Sequence, residues 1–212
     1  CTHQANLMTK PRYWQEAKKV LSKKDKVLKK IILNYSGILA SRKDPFFSLC
    51  KSIVGQQISV SSANAVWKRF ETVLQKIIPT NVLKTNKRKL AACGLSRQKI
   101  EYLKILAKSF ENKTIDIKQL KKMNDDDAIK YLTRIKGIGK WTAQMFLFFN
   151  QLRPDIFPEQ DIGLLKAISI HYKTTYPPSA KQLEKLKKLW TPYATVATWY
   201  LWRSIDPVPV AY

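Results

Sequence analysis

Apolar residues recur along most of the chain at the three- to four-residue spacing of a buried helical face, and this periodicity restricts the fold more than any other feature. Strand signals are weak, because the sequence has no Asn-Gly or Asp-Gly pair and no sustained alternation of apolar and polar residues. We therefore expect an all-α fold. The predicted helices are 13–32, 46–74 with a break at 55–57, 99–110, 125–135, 182–190 and 193–204.

Positive charge dominates the composition. The chain has 39 Lys and Arg against 15 Asp and Glu, a formal net charge of +24. This excess indicates a polyanionic partner, since each phosphate contact releases condensed counterions. A ribosome-like structural protein and a binder of anionic membranes are the alternatives. The lysine clusters at 18–30 and 181–188 are expected to enlarge the positive field rather than to read DNA.

The cysteine content indicates the redox state of the compartment in which the protein works. The cysteines Cys1, Cys50 and Cys93 are scattered and odd in number, so they predict neither a disulfide framework nor a Cys-x-x-Cys metal site. A reducing compartment fits them best. No apolar run approaches the roughly 20 residues that span a bilayer, so no membrane association is expected. Hydrophobic residues make up 45% of the chain, which is enough for a sizeable core.

The stretch 132–143 predicts two helices joined by a tight turn. Gly137 and Gly139 permit a backbone with positive φ, and they let a phosphate approach the amides at the start of the second helix, near Lys140. An ordinary helix C-cap is the simpler alternative. Basic side chains surround the turn: Arg134, Lys136 and Lys140.

One carboxylate differs from the other acidic residues. Asp161 follows the apolar and proline residues 156–158 and opens the apolar helix 162–168, so we expect it in an apolar cleft. A plain N-cap is the alternative, since Asp is favoured there. Asp125, Asp126 and Asp127 resemble capping residues, and Asp155, Glu159 and Asp206 lie beside prolines in loops. The rest are expected to be solvated: Glu16, Asp25, Asp44, Glu71, Glu101, Glu111, Asp116 and Glu184.

Segments 135–143 and 157–164 together resemble the helix-hairpin-helix, Gly/Pro-rich loop and catalytic Asp signature of the HhH-GPD DNA glycosylases. Within that superfamily the chain is similar to the alkyladenine branch, the 3-methyladenine DNA glycosylase II type. Further similarity at 13–14, 53–59 and 199–200 extends the resemblance over essentially the whole chain. It implies a single unit over 1–212, in which subdomain 47–150 and a subdomain of 1–46 plus 151–212 pack around an active-site cleft.

The resemblance also implies a role for particular residues. Asp161 is the catalytic carboxylate, and Gln57 with Ile58 forms the wedge that enters DNA, although a plain helix junction would also explain that turn. The implied base pocket consists of Trp141, Trp199, Tyr13, Trp14 and Phe46. The alternative to a pocket role is that these five aromatic side chains are ordinary members of the hydrophobic core. The implied DNA-binding hairpin consists of Lys136, Gly137, Ile138, Gly139, Lys140 and Thr142.

The implied activity is that of a monofunctional glycosylase in base excision repair, which flips alkylated purines such as 3-methyladenine or 7-methylguanine out of duplex DNA and excises them hydrolytically. Trp141 occupies the position at which bifunctional relatives have a lysine nucleophile, so no lyase activity is expected. No cysteine follows Cys93, whereas some relatives carry a four-cysteine iron–sulfur cluster there. We expect no catalytic metal and no cofactor, with a structural monovalent cation compatible with the hairpin.

The expected partner is double-stranded DNA with damaged bases, and the expected state is a monomer in the cytoplasm or nucleoid of a bacterium or the nucleus of a eukaryote. No general acid is evident, because neither His3 nor His171 has acidic neighbours in sequence. A cationic alkylated purine needs none, since it is already a good leaving group. Two alternatives stay open: a noncatalytic helix-hairpin-helix module, and a glycosylase for oxidised, deaminated or mismatched bases.

Overall fold

The computed structural model describes residues 8–206, and within them the regular structure is helical. Within residues 8–206, β-type backbone pairing is limited to one isolated antiparallel bridge between Thr9 and Ser41. The predicted all-α class is therefore confirmed. Cys1 and His3 lie outside the described residues. No helix within 8–206 combines the length and the apolar composition needed to cross a membrane.

The chain divides into two compact units, of which the first comprises residues 8–43 and 147–206. Its core is built around the last helix, whose consecutive residues 194–201 are all buried. The sequence predicts this internal position from the apolar and aromatic composition of 193–204. The helices of this unit are α1 (Trp14–Lys24), α2 (Lys26–Asn34), α11 (Ile162–Tyr172), α12 (Ala180–Trp190) and α13 (Ala194–Ile205).

The second unit comprises residues 44–146, against sequence-based limits of 47 and 150. Its helices pack mainly on α3 and α7. The helices of this unit are α3 (Pro45–Gly55), α4 (Val60–Leu74), α5 (Pro79–Lys84), α6 (Lys87–Ala92), α7 (Arg97–Glu111), α8 (Ile117–Leu120) and α9 (Asp125–Thr133), and α10 (Lys140–Phe149) begins here and continues into the first unit.

The expected continuous helix over 13–32 is wrong, because the chain breaks at Asp25. The Asp25 backbone is extended, and its Oδ1 atom accepts hydrogen bonds from the N–H groups of Val27 and Leu28. An N-cap of this kind starts a new helix where the lysine-rich periodicity gives no sign of a stop. The expectation that Asp25 is solvated is also wrong, since its side chain is only 5% exposed.

Three short helices, α5, α6 and α8, were not predicted. Each has four to six residues, which is too short for a helical apolar period to show. Their first turns are set by local residues instead: Pro79 begins α5, and the side chains of Asn86 and Asp116 cap α6 and α8. Asp44 likewise caps α3; it is exposed, as the sequence predicts, whereas Asp116 is partly buried.

Candidate active site

Asp161 lies at the start of α11 and is the N-cap of that helix. Its backbone is extended (φ −71°, ψ 120°), and its Oδ2 atom accepts a hydrogen bond from the N–H of Leu164 at 2.8 Å. The buried segment 156–158 precedes it, and the Asp161 N–H donates to the Pro158 carbonyl. The N-cap alternative therefore describes the backbone correctly. The same position places the carboxylate where the helix dipole favours an anion.

A tryptophan donates to the same carboxylate oxygen. The indole Nε1 of Trp202, on α13, is 2.8 Å from Asp161 Oδ2. The Trp202 ring stacks on Phe149 with centroids 5.8 Å apart and planes within 4°, and its centroid is 4.9 Å from that of Phe148. These ring contacts fix the plane of the indole and hence the direction of its N–H. The carboxylate is thereby positioned by two donors, one from the backbone and one from a rigid side chain.

Trp202 is a functional candidate that sequence reasoning missed. The resemblance directs attention to Trp199, which lies three residues earlier on the same helix. Residues three apart lie on neighbouring positions of a helix surface, so the spacing of the two tryptophans is a signal that could have found it.

The surface beside Asp161 is left open by a glycine. A Cβ at Gly163 would lie 3.3 Å from Asp161 Oδ2 and 3.5 Å from Cδ1 of Trp202. Asp161 is partly exposed, and the next residue, Ile162, is 68% exposed. The carboxylate is therefore held at the surface of the first unit, with no side chain at position 163 to cover it.

The five predicted pocket aromatics differ in burial. Trp14, Phe46 and Trp199 are at most 5% exposed, whereas Tyr13 and Trp141 are partly exposed. Trp14 packs edge-on against Trp199, with centroids 5.2 Å apart. This burial fits the core alternative for Trp14, Phe46 and Trp199 alike. Exposed ring surface remains on Tyr13 in the first unit and on Trp141 in the second.

Tyr13 is fixed at both ends of its ring. Its hydroxyl donates to the Leu152 carbonyl at 2.7 Å, and its ring stacks on Tyr193 with centroids 6.3 Å apart. Burial raises the pKa of Tyr13 well above its usual value. The hydroxyl is thus a neutral donor at physiological pH, which leaves the ring face as the part of Tyr13 that can contact a ligand.

The predicted hairpin is present in the second unit, with α9 ending at Thr133 and α10 beginning at Lys140. Gly137 has φ +98°, and a Cβ there would lie 2.4 Å from Cγ of Tyr102, so both conformation and packing require glycine. Gly139 faces open space instead, with no atom within 4 Å of its virtual Cβ. The two glycines therefore differ: the first permits the turn, and the second leaves the backbone accessible.

Of the other hairpin residues, two are buried beneath the turn and two are exposed on its surface. Ile138 and Thr142 are 3% and 2% exposed, so they anchor the turn from inside. Lys136 and Lys140 are exposed. The Lys136 ammonium lies 2.9 Å from Oε1 of Glu101, a surface ion pair that raises the pKa of the lysine. Such solvent-exposed pairs are weak, and a phosphate can replace the carboxylate.

The predicted wedge is tied to this hairpin by the residue before it. The Gln56 side-chain amide donates to the Gly137 carbonyl at 3.0 Å and to the Thr142 hydroxyl at 2.9 Å. Gln57 then takes a left-handed conformation with φ +57°, and Ile58 is 40% exposed. The loop therefore presents Gln57 and Ile58 to solvent, and the hydrogen bonds of Gln56 attach it to the predicted phosphate-binding turn.

The described residues include no group of three or more His, Cys, Asp or Glu side chains arranged to hold a metal ion. His171 lies in the first unit, where its Nε2 atom is 2.8 Å from Oγ of Ser204, and burial lowers its pKa.

Residues 50–192 match the family model described as HhH-GPD superfamily base excision DNA repair protein. The matched range contains the hairpin and Asp161. A relative in Schizosaccharomyces pombe, DNA-3-methyladenine glycosylase 1, is 29% identical over 184 residues, which are 84% of this chain and 81% of that protein.

Solved structures give the same relationship. The Schizosaccharomyces pombe 3-methyladenine DNA glycosylase in complex with abasic DNA has a TM-score of 0.82 and 26% identity, over 93% of this chain and 100% of that one. The DNA-3-methyladenine glycosidase of Bacillus halodurans has a TM-score of 0.75 and 32% identity, over 89% and 88%.

Proposed function

Because the chain belongs to the HhH-GPD superfamily of base excision DNA repair proteins, we propose that it is a monofunctional DNA glycosylase that hydrolyses the N-glycosidic bond of alkylated purines in duplex DNA. The names of its relatives, which refer to 3-methyladenine, support this substrate class. The observation that carries the proposal is the Asp161 carboxylate, held by Leu164 N–H and Trp202 Nε1 at a partly exposed helix start.

Asp161 acts on the sugar in this mechanism. Cleavage of the glycosidic bond builds positive charge on the deoxyribose, as in glycoside hydrolysis. A carboxylate fixed in advance by two donors stabilises that charge without having to reorganise during the reaction. It also orients a water or accepts its proton. The leaving group needs no acid, because alkylation at N3 or N7 has already made the purine cationic.

DNA binding is assigned to the second unit. The open backbone at Gly139 and the exposed Lys136 and Lys140 form a phosphate site at the start of α10, where the helix dipole favours an anion. Gln57 and Ile58 enter the duplex from the adjoining loop and replace the extruded nucleotide. The net charge of +24 supplies the long-range attraction to DNA.

The base itself is bound by aromatic faces. A cationic purine is attracted to an electron-rich ring. Each unit has one predicted pocket residue with exposed ring surface, Tyr13 in the first unit and Trp141 in the second. Trp141 also stands where bifunctional enzymes of this superfamily place their nucleophilic lysine. The reaction is therefore a hydrolysis without a Schiff base, and neither a metal nor a cofactor takes part. The acting species is a monomer.

A noncatalytic DNA-binding module is the second candidate. One observation favours it: Asp161 already has a structural task as the N-cap of α11. Such a module would bind alkylated DNA through the hairpin but would release no base.

Base release from alkylated duplex DNA in the presence of a chelator separates the two candidates. We expect free methylated purine from the wild type and none above background from Asp161→Asn, while DNA affinity stays unchanged. Asp44→Asn is the matched control, because Asp44 caps α3 in the same way and Asn caps a helix as well as Asp. Binding without release by the wild type would favour the module, and release restricted to oxidised or mismatched duplexes would contradict the substrate class.

The hairpin assignment has its own test in the salt dependence of binding. Lys136→Gln and Lys140→Gln should each weaken binding to every sequence alike, and each should reduce the slope of log K against log salt by about 0.9. Lys118→Gln, an exposed lysine on α8, serves as the control. An unchanged slope in both hairpin variants would contradict the phosphate site.

A further inference from the structure

Two lysine-rich segments that are far apart in the sequence meet in the first unit. Helices α1 and α2 carry seven lysines against two acidic residues, and α12 carries four lysines against one. The Trp190 indole at the end of α12 donates to Asp25 Oδ2 at 3.1 Å. The Lys24 ammonium at the end of α1 donates to the Thr191 carbonyl at 3.2 Å. These hydrogen bonds place the C-terminal turns of α1 and α12 side by side.

Five lysines surround this contact, and we call them the junction lysines. Lys23 and Lys24 end α1, Lys26 begins α2, and Lys187 and Lys188 lie in the last turn of α12. All five are exposed. None of them forms an ion pair with another residue in the part of the chain that the structure describes. The fold therefore gathers five solvated ammonium groups on one surface.

Neighbouring groups do not account for this charge. Asp25 is buried and engaged as a helix cap, Asp155 accepts from the Thr191 hydroxyl at 3.3 Å, and Glu184 is the one acidic residue on α12. The helix dipole favours lysine in the last turns of α1 and α12 but disfavours Lys26 at the start of α2. The cluster thus exceeds what helix stabilisation explains. Mutual repulsion of these cations is relieved by a ligand with closely spaced negative charges, such as a DNA backbone.

We propose that the junction lysines bind the phosphates of a second DNA duplex while the first is held at Asp161. The inference rests on the proposed function, in which Asp161 meets a nucleotide of the first duplex. Helix α11 begins after Asp161 and ends at Tyr172, whose hydroxyl donates to Asp25 at the junction. Its 11 residues span about 16 Å. The two surfaces therefore lie at opposite ends of one helix. Because DNA has a persistence length of about 50 nm, a duplex held at one end does not bend back to the other.

A second site of this kind allows direct transfer between duplexes. A few lysine–phosphate contacts give weak, salt-sensitive and sequence-independent binding, since their free energy comes mainly from counterion release. A duplex held in this way exchanges quickly, and it is already close to the protein when the first duplex leaves. The expected signature is a dissociation rate from the first duplex that rises with the concentration of free DNA.

A chase experiment tests the proposal. The protein is bound to a labelled duplex with a tetrahydrofuran abasic analogue, and unlabelled undamaged duplex is added as competitor. Raising the competitor from about 1 to about 100 µM, the range of non-specific dissociation constants, should increase the observed dissociation rate constant of the wild type about fivefold.

Two triple variants with the same loss of charge separate a local site from the general positive field. The junction variant removes three junction lysines, and the control variant removes three exposed lysines at and after α8 in the second unit. The substitutions are Lys23→Gln, Lys187→Gln and Lys188→Gln in the junction variant, and Lys118→Gln, Lys121→Gln and Lys122→Gln in the control variant. The increase should fall below about 1.5-fold in the junction variant and persist in the control variant.

Several outcomes would overturn the proposal. A wild-type rate constant that is independent of competitor is one, and equal losses in the two variants, which would assign the effect to net charge, are another. Contact with the flank of the same duplex would instead weaken the junction variant on a duplex of about 40 base pairs but not on one of about 12. Loss of binding to phosphatidylserine vesicles in the junction variant, with transfer unchanged, would assign the lysines to a membrane.

Base release from alkylated DNA is measured on the same preparations. Both triple variants should retain the single-turnover release of the wild type, because none of the substituted lysines contacts Asp161. The chase experiment measures binding alone, so failure of the second DNA site is distinguished from failure of the glycosylase proposal.

Discussion

Asp25 and Asp161 are both N-cap residues of the first unit, and each accepts a hydrogen bond from a tryptophan indole. Asp25 caps α2 and accepts from Nε1 of Trp190 at 3.1 Å, while Asp161 caps α11 and accepts from Nε1 of Trp202 at 2.8 Å. They differ in exposure. Asp25 is 5% exposed and also accepts from the Tyr172 hydroxyl, whereas Asp161 is partly exposed.

This difference shows that local chemistry alone does not separate a structural carboxylate from the one that we propose to be catalytic. At Asp25 the backbone, an indole and a phenol all donate to a buried carboxylate, so it holds three helices together and has no surface for a ligand. At Asp161 a similar set of donors holds a carboxylate that still reaches the surface. Because of its exposure, Asp161 is the one of these two carboxylates that can contact the sugar of a nucleotide.

The largest expected effect is a difference in base release between Asp161→Asn and Asp25→Asn. The first should lower the single-turnover rate constant by about 10³-fold, because a neutral amide stabilises no positive charge on the sugar. The second should leave the rate constant of the folded protein within about twofold. Single-turnover release at a temperature well below both unfolding midpoints measures this. Similar losses in the two variants would mean that exposure does not separate the roles.

The same two positions should show the opposite order in stability. Asp25→Ala leaves the Tyr172 hydroxyl and the Trp190 indole without their buried acceptor, and it should lower the free energy of unfolding by about 3 kcal/mol. Asp161→Ala should cost about 1 kcal/mol, the value of a lost N-cap. Urea unfolding followed by tryptophan fluorescence gives both values. A smaller loss at Asp25 than at Asp161 would contradict the structural role of the buried carboxylate.

The sequence predicted the position of Asp161 at a helix start but not the buried role of Asp25, and the reason lies in how far apart the partners are in the chain. The periodicity of 162–168 and the residues 156–158 are local, so the position of Asp161 at a helix start was accessible. Asp25 lies among lysines, and what buries it is Tyr172 and Trp190, 147 and 165 residues away in the chain. No local pattern contains that information.

Long-range contacts explain the other misses as well. The Trp202 indole and Asp161 are separated by 41 residues, and Gln56 by 81 residues from its acceptor at Gly137. The hairpin itself was predictable, because its glycines and the helices on both sides are neighbours in sequence. Which of its residues face inward, such as Thr142, depends on the loop that packs against it.

The indole donors provide the next test. Trp202→Phe keeps the stacked ring but removes the N–H from Asp161, so we expect about a tenfold lower kcat with little change in KM. Trp190→Phe is the matched variant at Asp25, and it should lower the free energy of unfolding by about 1–2 kcal/mol with kcat retained. An unchanged kcat would show that the Trp202 indole does not position the carboxylate.

The smallest expected effect concerns the second residue of each helix, which is Val27 after Asp25 and Gly163 after Asp161. A side chain is tolerated beside the buried carboxylate, but at Gly163 an added Cβ would lie 3.3 Å from Oδ2, closer than ordinary contact. Gly163→Ala should therefore move the carboxylate slightly and lower base release by about threefold. Stability should stay equal or rise by up to about 1 kcal/mol, because Ala is the better helix former. Unchanged release with raised stability would mean that the space beside Asp161 has no part in substrate binding, and the two carboxylates would then differ in burial alone.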